Sequence, residues 1–159
     1  MSSSGRGARY WVSAWLPVAI AIGLVACEST TMFGADHTDG PLRHIWEWIF
    51  GHVGNERWRL IHAIIRKSGH FAGYGLIGLA WLRAWRKSLP AATFLRAASL
   101  ALLGTALVAS SDEFHQSFLP NRTASPYDVL LDCVGAVVLM TLAYLILRMR
   151  RRHRLARAA

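Results

Sequence analysis

Four stretches of the chain are almost unbroken runs of apolar residues, and the polar residues collect between them. Residues 11–27 carry no charge and one proline, Pro17. Residues 70–85 form a shorter run, which spans a bilayer only if a turn around Lys67 lies at the membrane surface. Residues 93–110 hold Arg96 in their first turn, from which a long basic side chain snorkels to the interface. Residues 127–147 are the longest run and place Asp128 and Asp132 in its first two turns. In hydrocarbon, unpaired backbone N–H and C=O groups are too costly to persist, so a crossing takes the form of a helix of about 20 mostly apolar residues. The pattern therefore predicts an all-α, multi-pass membrane helix bundle with about four transmembrane helices. Residues 11–147 form its membrane domain, between a tail of residues 1–10 and a basic tail of residues 148–159.

The connection between the first two runs has a different texture. Residues 41–50 read Pro-Leu-Arg-His-Ile-Trp-Glu-Trp-Ile-Phe, and residues 58–66 continue the mixture of apolar and basic side chains after a break at Gly51, Gly54 and Asn55. Short amphipathic helices at the outer interface are expected there, with Trp46, Trp48 and Trp58 either at headgroup depth or packed over the bundle. Both uses are structural, and His37, His44, His52 and His62 are assigned no chemistry.

Composition narrows the class further. At 159 residues, 53% hydrophobic and only 17% charged, the chain is one domain and is not a disordered, collagenous or disulfide-stapled protein. A net charge of +9 would suggest nucleic acid on a soluble protein. Its distribution gives another cause. Arg6, Arg9, Arg83, Arg86, Lys87, Arg96 and the arginines from Arg148 to Arg157 fall on one side of the expected bundle with no acid among them, whereas all 9 acids fall in the alternate connections and their flanks. Basic residues near helix ends stay cytoplasmic, so both termini are expected in the cytoplasm, both acid-bearing connections outside, and no nucleic acid is expected as a partner. Cys27 and Cys133 offer neither metal spacing nor a Cys-x-x-Cys pair. They read as small apolar side chains near the outer helix ends, although a disulfide is geometrically conceivable. Leu24-Val25-Ala26-Cys27 also resembles a bacterial lipoprotein processing site, whose use would remove the first helix and acylate Cys27.

Ionisable groups at the edge of a membrane core are expensive and are therefore functional candidates. Three clusters qualify. Lys67, His70 and Tyr74 share one face at the expected start of the second transmembrane helix. Asp112, Glu113 and Gln116 follow the third run, with Pro120 expected to stop that helix. Arg122 precedes the fourth, in which Asp128 and Asp132 repeat the i, i+4 spacing and Gly135 allows a neighbouring helix to approach. If these clusters meet at the outer boundary, Lys67 and Arg122 are expected to pair with some of the four carboxylates. A single Asp at a helix start is commonly a cap, which suits Asp128 better than the deeper Asp132.

The order and spacing of these residues resemble the motif set of the VanZ-like membrane proteins. The resemblance rests on Lys67-x-x-His70, on Asp112-Glu113-x-x-Gln116 with Phe118 and Pro120, and on Arg122-x-x-Ser125-x-x-Asp128-x-x-x-Asp132-x-x-Gly135. Together with the four apolar runs it covers nearly the whole chain. Many members carry Asn where this chain has Asp132, and Glu28-Ser29-Thr30 stands where the family often has a Ser-Ser pair. The resemblance implies a small multi-pass bacterial membrane protein, related to one associated with resistance to the glycopeptide teicoplanin. It implies no settled reaction.

Three functional classes remain open on the residues alone. An enzyme acting on an envelope lipid or lipid-linked glycan would use His70 or Glu113 to move a proton and Asp112 or Asp128 as further catalytic carboxylates. Lys67 and Arg122 would hold a phosphate, with Gln116 and Asp132 completing the binding set. No nucleophile elbow, His-Glu-x-x-His or Gly-rich phosphate loop accompanies them, and no cofactor is indicated. Carboxylates with His70 and His115 offer metal ligands, but at no diagnostic spacing, and no metal is assigned. A binding module would use the same groups without turnover, and a structural or assembly protein would use them as internal ion pairs. Gly69-x-x-x-Gly73 permits close helix contact within or between chains, and the oligomeric state stays open.

Overall fold

Three helices have the length and hydropathy of a membrane span: Ala8–Glu28, Phe94–Gln116 and Pro126–Arg157. They belong to an all-helical chain, seen here in a computed structural model that describes residues 7–30, 35–119 and 124–158. The helices are α1 (Ala8–Glu28), α2 (Ala35–Phe50), α3 (Asn55–Ser88), α4 (Phe94–Gln116) and α5 (Pro126–Ala158), and no strand occurs among the described residues. α3 is the central element and packs against all four others, most extensively against α5. The shortest of the four apolar runs therefore lies between the three most apolar helices, which is how a helix of low mean hydropathy is accommodated in the bundle.

α3 departs from the sequence expectation. The helix runs unbroken for 34 residues, about 51 Å at 1.5 Å per residue, so that residues 58–66 and the apolar run form one rod rather than an interfacial helix and a separate span. The physical reason is local: the segment before Gly69 is rich in helix-compatible Arg, Leu, Ala and Ile, and a single glycine does not break a helix with neighbours to pack on. Trp58 accordingly packs within the fold, one of the two uses expected of it. It is 2% exposed, donates its indole N–H to Asp39 Oδ1 at 2.7 Å, and stacks on the His62 ring. His62 lies 3.4 Å from the same carboxylate oxygen through Nδ1 and contacts Thr38 Oγ1 at 3.1 Å through Nε2. These contacts dock α2 onto the first turns of α3.

The connection back from α2 is also built. Arg43 bonds Glu47 Oε1 at 3.1 Å, the Val53 carbonyl at 2.8 Å and Asn55 Oδ1 at 3.0 Å. The turn it clamps contains Gly51 at φ 84, a left-handed conformation that disfavours any side chain.

The α3–α5 contact is close because its glycines are placed for it. A Cβ on Gly135 would fall on the Phe71 carbonyl oxygen, and one on Gly78 would stand 2.7 Å from the Ala136 Cβ. Gly69 and Gly73, the small pair singled out by spacing, do something else: nothing lies within 4 Å of a Cβ built on either. α4 contributes the small buried residues Ala97, Ala101, Thr105 and Ala109.

Helix ends follow ordinary capping rules. Thr93 Oγ1 accepts the Arg96 N–H at the start of α4, and Ser125 Oγ accepts the Tyr127 N–H just ahead of Pro126, the first residue of α5. The cap is therefore Ser125 rather than Asp128. α4 ends at Gln116, and Pro120 lies outside the described residues. α5 does not stop at residue 147. It continues as a helix through the arginines, none of which breaks it, to Ala158.

α1 is tied to α3 antiparallel. At its start, Tyr10 OH donates to the Lys87 carbonyl at 2.6 Å and Trp15 Nε1 to Ser88 Oγ at 3.1 Å. Just past its end, Ser29 Oγ meets His115 Nδ1 of α4 at 2.9 Å. Cys27 and Cys133 are unpaired, Cys27 exposed and Cys133 partly buried.

Candidate functional site

Successive turns of α3 each bring a polar side chain to a carboxylate on another helix. At the rim, Lys67 Nζ donates to Asp128 Oδ1 at 3.1 Å, with the lysine side chain 63% exposed. One turn on, His70 Nδ1 stands 3.7 Å from Asp132 Oδ1, an ion-pair separation longer than a hydrogen bond. One turn further, Tyr74 OH donates to Asp112 Oδ2 at 3.0 Å, and Gln116 Nε2 donates to the same oxygen at 3.1 Å. The His70 and Tyr74 rings stack along the ladder. Lys67, His70, Asp112, Gln116, Asp128 and Asp132 are thus brought to one end of the bundle by α3, α4 and α5.

Solvation falls steeply down this ladder. Asp132 is 1% exposed, and neither of its oxygens has a hydrogen-bond partner among the described residues; the same is true of Asp112 Oδ1. Taking a carboxylate out of water costs several kcal/mol unless hydrogen bonds or a counter-charge offset it. The two buried aspartates are therefore the energetically expensive members of the cluster, and Lys67 with Asp128 is the cheap, wet one.

Glu113 faces a different way. It is also buried, but its Oε2 accepts the Ser125 N–H at 2.7 Å, which fixes the residue that caps α5 and so the position of Asp128 one turn later. Arg122, expected to pair with a carboxylate, lies outside the described residues. His115 is held by Ser29 and does not join His70. Among the described residues no group of three or more His, Cys, Asp and Glu is arranged to hold a metal ion.

Two cavities flank α1 and share two wall residues, Val25 and Asp112. The first, about 440 Å³, lies between α1 and α3 and includes His70, Tyr74, Gly69 and Gly73. The second, about 590 Å³, lies between α1 and α4 and includes Ser29, Ser111 and His115. Both are of the size that takes small ligands.

The sequence model of the VanZ/LLP1 family matches residues 15–148. The chain belongs to the VanZ/LLP1 family. The match takes in every member of the polar ladder, and a VanZ/LLP1 assignment agrees with the order of motifs that the residues alone display. No curated protein and no solved structure is significantly similar to the chain. Sequence reasoning about this VanZ/LLP1 protein places Tyr74 on the correct face of α3 but not against Asp112, and it misses the Ser29–His115 contact altogether. Both partners are far apart in the chain, and no local spacing signals either pairing. The contribution of α1 to the cavity walls is equally invisible there, because an apolar helix facing lipid and one facing a cavity have the same composition.

Proposed function

We propose that this VanZ/LLP1-family protein holds an envelope lipid or lipid-linked glycan in a polar pocket at the outer membrane face, and binds or modifies it there. The observation that carries the reading is the pair of buried aspartates near His70: Asp112 Oδ1 and both oxygens of Asp132 lack hydrogen-bond partners among the described residues, and Asp112 lines a cavity. A stabilising network would satisfy such groups; a site for a ligand leaves them to be satisfied. In this reading Asp112 and His70 act at the reacting or binding centre, with Asp132 orienting His70. Asp128 and Lys67 form the rim, Lys67 and Arg122 supply positive charge for a phosphate, and Gln116 and Glu113 position Asp112 and the start of α5. The family resemblance extends the proposal to glycopeptide tolerance as one outcome of such an activity.

A second reading, a structural or assembly protein held together by ion pairs, draws on Glu113 and Lys67, both of which have partners within the fold. The two readings separate on Ala substitution of His70, Glu113 and Asp128. The ligand reading expects His70→Ala to reach the membrane at the level of the parent. Purified parent protein incubated with lipid extract should convert or retain one lipid class, and His70→Ala should do neither. Loss of protein level in all three variants would sink the ligand reading, since breaking a buried pair costs about 3–5 kcal/mol.

A further inference from the structure

The chemistry of the cavity between α1 and α3 specifies more than a lipid. Among the described residues its ionisable lining side chains are Glu28, His70, Tyr74 and Asp112, with no Lys or Arg. Asp112 is 8% exposed and its Oδ2 already takes two hydrogen bonds, from Tyr74 and Gln116, while Oδ1 takes none among the described residues. Oδ1 is itself closed off from solvent, and because the second torsion of an aspartate is soft, the carboxylate can turn to meet a donor in the cavity, exchanging a bond from Tyr74 or Gln116 for the new one. Away from this end the walls are apolar: Leu24 on α1 and Leu76 on α3 are 61% and 63% exposed. From Gly69 to Ala80 the groove follows α3 for about 16 Å. Gly69 and Gly73 keep its α3 wall low, since nothing stands within 4 Å of where their Cβ atoms would be.

We infer that this groove holds an amphiphile with a primary ammonium head, the chain lying between α1 and α3 and the ammonium meeting the Asp112 carboxylate. The inference rests on the proposed lipid-binding function and names its substrate class. A phosphate placed at Asp112 would meet its carboxylate with no Lys or Arg among the groove's described lining residues, whereas an ammonium supplies both a counter-charge and a donor. A choline head carries the charge but has no N–H, and a sugar hydroxyl has the donor but no charge. The lipid enters sideways past Leu24 and Leu76, which leaves Lys67 and Asp128 at the rim for other contacts.

The full-length protein in detergent, titrated with phosphatidylethanolamine, phosphatidylcholine or phosphatidylglycerol of the same acyl chains and read by native mass spectrometry, tests this. The ethanolamine lipid should be retained about tenfold better than the other two, the worth of one charge-assisted hydrogen bond. Excess soluble ethanolamine should fail to displace it. Asp112→Asn should erase the preference. Gly73→Leu, which fills the groove where no protein atom stands, should abolish retention of the lipid at unchanged thermal stability. Equal retention of the three lipids, preference for phosphatidylglycerol, displacement by ethanolamine alone, or full retention by Gly73→Leu would each overturn the inference while leaving a lipid-binding function standing. Retention of no lipid at all would overturn both.

Discussion

At the scale of the residue, the ladder on α3 turns a helical repeat into a gradient of cost. Lys67, His70 and Tyr74 are legible in the sequence as one face, because spacing of three and four along a helix is a local property. Their partners are legible only as candidates: four carboxylates are in reach, and which of them is wet and which dry depends on contacts between distant segments. The glycines show the same limit. The sequence marks Gly135 as a point of helix approach, and a Cβ there would indeed meet the Phe71 backbone; it also favours the spaced pair Gly69 and Gly73, yet on α3 the close approach belongs to Gly75 and Gly78. Gly135→Ala is therefore expected to destabilise the protein by about 1–3 kcal/mol, the usual cost of overpacking a tight contact. Gly73→Ala should be neutral or stabilising, by up to about 1 kcal/mol from helix propensity. Thermal unfolding of the two variants in the same detergent checks this, and equal effects would contradict the assignment of the contact.

At the scale of the element, hydropathy locates α1, α4 and α5 because those helices meet lipid over much of their surface, where apolar residues are required. It locates α3 less well. That helix is shielded by its neighbours, so its extent is set by packing and by the docked α2 rather than by a hydropathy edge. The break at residues 51–54 is readable from Gly51 and Gly54; what closes it is not. The Arg43 guanidinium, hydrogen-bonded to Glu47, holds that carboxyl below its ordinary value of 4.5, with the Val53 backbone and His52 acting in the same direction. A carboxyl whose pKa is lower in the folded than in the open turn stabilises the fold above its ordinary pKa, and that contribution is lost as pH falls through the folded value. Amide protection across residues 51–54 is thus expected to hold from neutral pH down to about 4.5 and to decline below it. Glu47→Gln should remove this pH dependence. Hydrogen exchange on the reconstituted protein measures both, and a transition well above that pH would count against the clamp.

At the scale of the whole molecule, two features of the chain act together. The charge distribution sets which helix ends share a side, and the small residues of α3, α4 and α5 bring those ends close enough for side chains to meet. The first is legible in the sequence, since a count of Lys and Arg per connection is enough. The second is not, because closeness depends on which glycine faces which backbone. Membership of the VanZ/LLP1 family covers the same residues but supplies no geometry, so the reading of the site stands on the ladder itself. Its central claim is that polar stretches from three helices form one recess open to the outside of the cell. The most direct test replaces the native cysteines (Cys27→Ser, Cys133→Ala), introduces Lys67→Cys with Asp128→Cys, and treats intact cells with a short bifunctional thiol reagent that does not cross membranes. The expected result is an intramolecular cross-link in the double variant, with each single variant labelled from outside. Singles that react only after the cells are permeabilised, or that react from outside while the double variant never cross-links, would contradict it.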